Sequence, residues 1–243
     1  MVDIPKEYKN KEEYVHSMFS GIAKKYDVLN TTLSFNRDKY WRRFAVKKSG
    51  LEPGQEVLDI CCGTGMLSLE LAKYMQNQGR VIGLDFCENM LEVARKNIAK
   101  TPYANCIELV QGNAIALPFA EDSFDCCTIA FALRNVPDVR KTIQEMKRVV
   151  KPGGRVINLE FSKPSAPVFK QLYHFYLHYI LPVLGKIGIG RKGPYNYLSQ
   201  SVQEFTHQAV IRDLFVEEGL ENAVYYELTG GIATVHVGIV PQT

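Results

Sequence analysis

Apolar positions along this chain recur in two rhythms, a short unbroken run and a helical spacing, that alternate from about residue 56 onward. Val57-Leu58-Asp59-Ile60 is a short apolar run closed by Cys61-Cys62-Gly63-Thr64-Gly65, and a helical pattern follows from Met66 to Gln76. The alternation predicts strands at 56–61, 80–85 and 106–111, separated by helices over 66–77 and 88–100. Phe124 to Ala132 is continuously apolar, as expected of a fourth strand buried on both faces. Val139, Ile143, Met146 and Val150 repeat at helical spacing across Asp138 to Val150. Lys151-Pro152-Gly153-Gly154 stops that helix and opens a fifth strand, Arg155 to Phe161. Helices over 199–204 and 207–219 lead to two last strands, near 222–229 and 232–240. Upstream, residues 10–48 read as helices with a turn around Leu29 to Asn36, and Gly50 to Gln55 as a loop. This alternation predicts an α/β fold, a mostly parallel sheet with helices on both faces. One domain is expected, made of a helical cap (1–50), a ligand-binding core (51–162), a helical insertion (163–205), and a last helix with the final strands (206–243).

A strand, a tight glycine turn and a helix start together hold a nucleoside-containing ligand at the carboxyl edge of a parallel sheet. Gly63 and Gly65 let the backbone approach that ligand. The spacing argues against a dinucleotide, whose fingerprint needs a third glycine where Ser68 stands. S-adenosylmethionine, which lacks a pyrophosphate, fits better, with its carboxylate at the helix N-terminus. Asp85 ends the second strand about 20 residues after the turn, where an acidic side chain accepts hydrogen bonds from ribose hydroxyls. Asn113 and Ala114 follow the third strand; the Asn113 amide oxygen and the Ala114 N–H suit an adenine edge.

Composition changes this picture little. A net charge of +3, with dispersed lysines and arginines, gives no sign of a nucleic-acid partner. Lys39, Trp41, Arg42, Arg43, Lys47 and Lys48 read as a solvated helix face that could also meet anionic lipid headgroups. The stretch Met1 to Glu13 is polar, so a cytoplasmic protein is expected, and no run of 18 apolar residues is present. The six cysteines form no C-x-x-C pair and read as small buried hydrophobes. No metal is expected: His174 and His178 lie one turn apart but lack the glutamate of H-E-x-x-H and a third ligand. They sit in an aromatic stretch, 168–184, that reads as core packing or as a lining for substrate.

Tyr26-Asp27-Val28-Leu29-Asn30-Thr31-Thr32-Leu33-Ser34, continuing to Trp41, resembles the first signature of the demethylmenaquinone/ubiquinone-precursor C-methyltransferases. Arg148 through Ser162 resembles the second signature throughout, and Leu133-Arg134-Asn135-Val136-Pro137-Asp138 also matches the family's pattern. The resemblance covers nearly the whole chain. It implies a seven-stranded S-adenosylmethionine-dependent methyltransferase fold, Rossmann-like, with Thr64, Asp85, Asn113 and Ala114 as cofactor contacts. Three positions depart from it: Leu29 replaces a methionine, Asp38 a histidine, and Met66 the acidic residue that many members carry after the glycine turn.

The reaction so implied is methyl transfer to a ring carbon of a polyprenylated hydroquinone, demethylmenaquinol in a naphthoquinone-making bacterium. Arg134 and Asn135 follow the fourth strand at the carboxyl edge. A guanidinium stays protonated, so Arg134 is expected to stabilise the quinol oxyanion or order a water, and Asn135 to orient the hydroxyl. Glu160, ending the fifth strand, is the expected proton acceptor. Tyr26 and Asn30 are expected to close over the cofactor. The candidate partners are the polyprenylated quinol, a membrane surface met through 168–184, and a second copy of the chain. Rival readings are action on a polyprenyl benzoquinol as well, another small-molecule or O-methyltransferase, a non-catalytic S-adenosylmethionine-binding protein, and a nicotinamide oxidoreductase.

Overall fold

A computed structural model describes residues 7–164 and 193–242, together with Pro5 and Gln171. The aromatic stretch 168–184, with His174 and His178, therefore lies almost wholly outside the described residues.

Seven strands form one sheet: β1 (Glu56–Ile60), β2 (Arg80–Asp85), β3 (Ile107–Gln111), β4 (Phe124–Ala130), β5 (Val150–Phe161), β6 (Glu221–Leu228) and β7 (Ala233–Ile239). Their order is β3-β2-β1-β4-β5-β7-β6. β1 to β5 run parallel, and β7 is antiparallel to both its neighbours. Chain order reverses between β1 and β4, so a crevice opens beyond the carboxyl ends of those strands.

Alternation along each strand divides the core in two. Leu58, Ile60, Ile82, Leu84, Cys127 and Ile129 face one layer, with α6 (Val139–Arg148) and the penultimate described helix's successor in chain order, Gln208–Glu217. Val57, Val81, Cys126, Ile157 and Val235 face the other, against α3 (Arg37–Ser49) and α4 (Met66–Tyr74). The sheet is thus covered on both faces, as the pattern predicts.

Two local readings need correction. Leu29 to Leu33 is helical, not part of a turn: α1 (Lys11–Ile22) and a short 3-10 stretch lead into α2 (Tyr26–Leu33), which places Leu29 and Leu33 on one face of the helix. The turn is confined to Ser34–Asn36, where Phe35 and Asn36 take positive φ. Residues 151–154 lie within β5 rather than before it, because the end of β7 supplies their partners. Gly153 N–H donates to the Val240 carbonyl and Val240 N–H to that of Gly154.

Candidate active site

The glycine turn after β1 is built from left-handed backbone: Cys61 has φ 52°, Gly63 56° and Gly65 80°. For Cys61 this conformation is strained, and such strain concentrates at ligand sites. Gly65 caps α4. Beyond the turn lies a cleft lined by Tyr26, Cys61, Gly63, Asp85, Asn113, Ala114 and Asn135 among others. Five of the seven expected cofactor residues, Tyr26, Gly63, Asp85, Asn113 and Ala114, thus meet at one cavity. Thr64 lines an adjoining pocket with Arg42, Asp59 and Met66. Gly65 lines neither and acts through the turn.

Asp85 is 5% exposed; its carboxylate accepts from Gly63 N–H at 2.8 Å and Cys87 N–H at 2.9 Å. Burial raises its pKa, while those N–H groups oppose the rise. Each oxygen keeps a further lone pair, so ribose hydroxyls remain compatible with it. Asn113 departs from its expected geometry in one respect. Its amide oxygen accepts from Ile115 N–H at 3.2 Å within its own turn, and its amide nitrogen donates to Glu12 at 3.4 Å. The Thr64 hydroxyl is likewise engaged, donating to Asp27 at 2.5 Å, and Asn97 bridges the Asp27 carboxylate and the Thr64 carbonyl at 3.1 Å each.

The helical cap closes the cleft. Phe19 and Tyr26 line it, and Tyr26 is hydrogen-bonded to Asn30, its phenol pKa raised by burial. Lys11 donates to the Arg134 carbonyl at 2.8 Å, which pins α1 to the loop after β4. Phe19 and Tyr26 also line a second cavity, whose other walls are Met18, Ile22, Leu29, Asn30, Leu33, Arg134, Phe161, Tyr197 and Leu198. The two cavities share these aromatic side chains as a common wall.

Arg134 and Glu160 form a buried ion pair at 2.7 Å, with side chains 5% and 1% exposed. Arg134 is therefore no surface residue, and the nearby Asp138 caps α6 by accepting from Lys141 N–H. The Glu160 carboxylate also accepts from Arg134 N–H at 3.1 Å and Phe161 N–H at 2.9 Å. It lines neither cavity. Arg134 further donates from Nη1 to the Phe131 carbonyl and from Nε to Ser201 at 3.3 Å. Among the described residues this leaves Nη2 for a ligand. Burial works against the Arg134 charge, but the facing Glu160 carboxylate outweighs it and holds the pKa above its usual value. Asn135 accepts from the Tyr197 hydroxyl at 3.0 Å; burial pushes that phenol up to about 12.

Sequence reasoning missed Asp27, Lys11 and Tyr197, which act on the site from distant positions. It also misread the basic cluster on α3. Trp41 is 2% and Arg42 7% exposed, so the cluster is not a uniformly solvated face. Trp41 packs on Phe131 and Phe161, and Lys39, Arg43 and Lys47 are exposed. All six cysteines are free, and burial raises the thiol pKa of Cys61, Cys62, Cys126 and Cys127. Among the described residues no group of His, Cys, Asp and Glu could hold a metal, and no helix is long and apolar enough to cross a membrane.

Comparison with known proteins places this geometry. The ubiE/COQ5 methyltransferase family matches residues 7–240. The demethylmenaquinone methyltransferase of Desulfitobacterium hafniense is 47% identical over 96% of this chain and 92% of its own length. That of Shouchella clausii is 46% identical over 96% and 99%. Among solved structures, the putative methyltransferase complexed with the Haloferax volcanii Trm112 activator has a TM-score of 0.65 at 19% identity, covering 92% of this chain and 98% of that one. A SAM-dependent methyltransferase from Aquifex aeolicus has a TM-score of 0.61 at 18% identity, covering 82% and 89%; both likenesses concern the fold. The chain belongs to the ubiE/COQ5 methyltransferase family, and it is an S-adenosylmethionine-dependent methyltransferase on the seven-stranded Rossmann-like fold.

Proposed function

We propose that the enzyme transfers a methyl group to a ring carbon of demethylmenaquinol, giving menaquinol. The observation that carries this reading is the pairing of two cavities across Phe19 and Tyr26. One has the carboxylate, glycines and amide suited to an adenosyl ligand. The other is mostly apolar, with the Arg134 cation in its wall, as a ring with ionisable oxygens and a hydrocarbon tail requires. The substrate named for the relatives, at 42–47% identity, fits that chemistry.

When bound, S-adenosylmethionine supplies an electrophilic methyl. The residues that would hold it are Asp85 for the ribose, Asn113 and Ala114 for the base, and the Gly63 turn for the amino-acid end. Arg134 stabilises the oxyanion of the quinol, which makes the adjacent ring carbon nucleophilic. Asn135, fixed by Tyr197, orients the hydroxyl. Glu160 is better read as the residue that positions Arg134 than as the proton acceptor, since its oxygens already hold three donors and it reaches neither cavity; the quinol then binds as its phenolate, and the ring proton that the methyl group replaces passes to solvent after transfer. Alignment of the reacting atoms roughly 3–3.5 Å apart can lower such a barrier by about 7–11 kcal/mol. Closing the cap excludes water, which helps a reaction between opposite charges.

The isoprenoid tail calls for a lipid-facing surface. Val28 and Phe35, 71% and 72% exposed on the cap that lines the apolar cavity, support peripheral contact there, in addition to the contact expected from the sequence of 168–184. Liposome flotation of the enzyme with Val28→Ser and Phe35→Ser should show weakened binding. Incubation with demethylmenaquinol and methyl-labelled donor, followed by mass spectrometry, should give a carbon-bound label. A label on oxygen, or none, would overturn the assignment.

A further inference from the structure

Arg42 was unremarkable in the sequence, one of several cations on α3. In the structure it is 7% exposed and stands in the wall of the pocket that adjoins the glycine turn, with Asp59, Cys61, Gly63, Thr64 and Met66. Its Nη1 donates to Asp38 at 2.7 Å, and its guanidinium carbon lies 6.0 Å from the centre of the Phe131 ring. Asp38 is in turn fixed by the Ser34 hydroxyl at 2.9 Å. Asp38 occupies the position at which the family signature has histidine, and here it serves as the anchor of a buried arginine. A guanidinium has five N–H donors in a planar fork, and one bond to Asp38 leaves most of them for a second acceptor.

Asp38 offsets much of the cost of burying this cation, and the N–H donors that it leaves over border the pocket, where an anionic group of a ligand would satisfy them. The start of α4 is a poor place for that anion. Asp27 already lies against Thr64 there, hydrogen-bonded to its hydroxyl, and a second carboxylate would meet like charge. Arg42 lies in the opposite sense: it is the cation of this pocket, Asp59 is its buried carboxylate, and the uncharged Met66 adds no negative charge. A cation and an anion across one small pocket match a zwitterion, the α-amino acid end of an adenosyl amino acid.

We infer that Arg42, anchored by Asp38, forms the carboxylate subsite for the amino-acid end of S-adenosylmethionine and S-adenosylhomocysteine. The inference rests on the placement of the adenosyl ligand in the adjoining cleft. It adds a specificity: the pocket should prefer ligands with a free α-carboxylate.

Calorimetric titration tests it with two probes, S-adenosylhomocysteine and its decarboxylated counterpart, which keeps the adenosine, the sulfur and the amine. The wild-type enzyme should bind the first at least tenfold more tightly. Arg42→Gln should weaken S-adenosylhomocysteine about tenfold to a hundredfold, the worth of a charge-assisted hydrogen bond. The decarboxylated probe should change less than threefold, which also shows that the variant is folded. Arg42→Lys should keep part of the preference, and Asp38→Asn should reduce it without abolishing it. Equal wild-type affinity for the two probes, or an equal loss of both in Arg42→Gln, would overturn the subsite while leaving the cleft assignment standing. Failure of the wild-type chain to bind either probe would overturn the cleft assignment itself.

Discussion

Replacing Asp59 with asparagine should stabilise this enzyme at neutral pH, and should do so by an amount that grows with pH. Asp59 is the penultimate residue of β1 and is 1% exposed. Its two oxygens accept from Ser68 at 2.6 Å and Thr128 at 2.9 Å. These hydroxyls favour the carboxylate, but burial dominates and raises the pKa from 3.8 to about 6. The folded chain therefore binds this proton more tightly than the unfolded chain does. Below the unfolded value both states are protonated and the site costs nothing. As pH rises from about 4 to about 6 the unfolded state ionises first, and stability falls. Above that window the full penalty stands: about two pKa units at 1.36 kcal/mol each, roughly 3 kcal/mol. Asparagine keeps the shape; its oxygen accepts from one hydroxyl and its amide donates to the other. The loss of two charge-assisted bonds offsets the gain by about 1–2 kcal/mol at every pH. Urea unfolding of both proteins from pH 4 to pH 7.5 isolates the site, because all other titrations cancel in the difference. That difference should move in favour of Asp59→Asn by about 2–3 kcal/mol across the range. A difference that stays flat with pH would refute the desolvated carboxylate. The same variant should bind S-adenosylhomocysteine more weakly, the usual exchange of stability for function at a charged site.

Removing one partner of the Arg134–Glu160 pair should be severe. Glu160→Ala should lose about 3–5 kcal/mol in denaturant titration, and a double replacement by methionines should lose less than the two single changes combined. Tyr197→Phe should lower kcat while leaving S-adenosylhomocysteine affinity unchanged, because among the described residues the hydroxyl bonds to Asn135 alone; an equal fall in ligand affinity would contradict that separation. Trp41 is the only tryptophan and packs on Phe131, a wall of the cleft, so its fluorescence should be that of a buried indole and should change when S-adenosylhomocysteine binds. Thr64→Val should loosen the cap, seen as faster hydrogen exchange over 11–33, since Asp27 then loses its hydroxyl partner.

What the chain disclosed in advance was what short-range pattern can encode. Apolar runs joined by helical repeats give the sheet and its layers, and the Cys61–Gly65 turn with Asp85 gives the cleft, because each lies within one βα unit. Boundaries moved where partners come from afar, as at Gly153 and Gly154, whose bonds are supplied by Val240. Asn30, Thr31 and Thr32 are weak helix formers, so local preference there agrees with the expected turn. The packing of Leu29 and Leu33 at the apolar cavity decides otherwise. The site residues missed share one property. Asp27 reaches Thr64 across 37 positions, Tyr197 reaches Asn135 across 62, and Lys11 reaches the Arg134 carbonyl across 123. No local period connects such pairs. Glu160 was located correctly at a strand end, but the partner that occupies it, Arg134, lies 26 positions away, and only the fold reveals that its oxygens are taken.

The distribution of burial sets the first two helices apart from the third. α3 buries Trp41, Ala45 and Val46 against the sheet and belongs to the core. In α1 only Val15 is fully buried, and in α2 no side chain is. These two helices are held by a small apolar cluster, in which Phe19 and Tyr26 pack against Cys87 and Met90, and by polar contacts: Lys11 to the loop after β4, Asp27 to Thr64 and Asn97, and Asn89 to Ser20. Such contacts exchange readily for water, so each contributes little net stability, whereas apolar burial on the scale of α3 does not exchange. Yet Phe19 and Tyr26, on and beside these helices, form the wall that the two cavities share. A ligand of either cavity thus touches both the rigid sheet edge and the weakly held cap, and its binding free energy adds to the docking of the cap. Adenosyl ligand and quinol should each favour the closed state for the other, with no direct contact between them required.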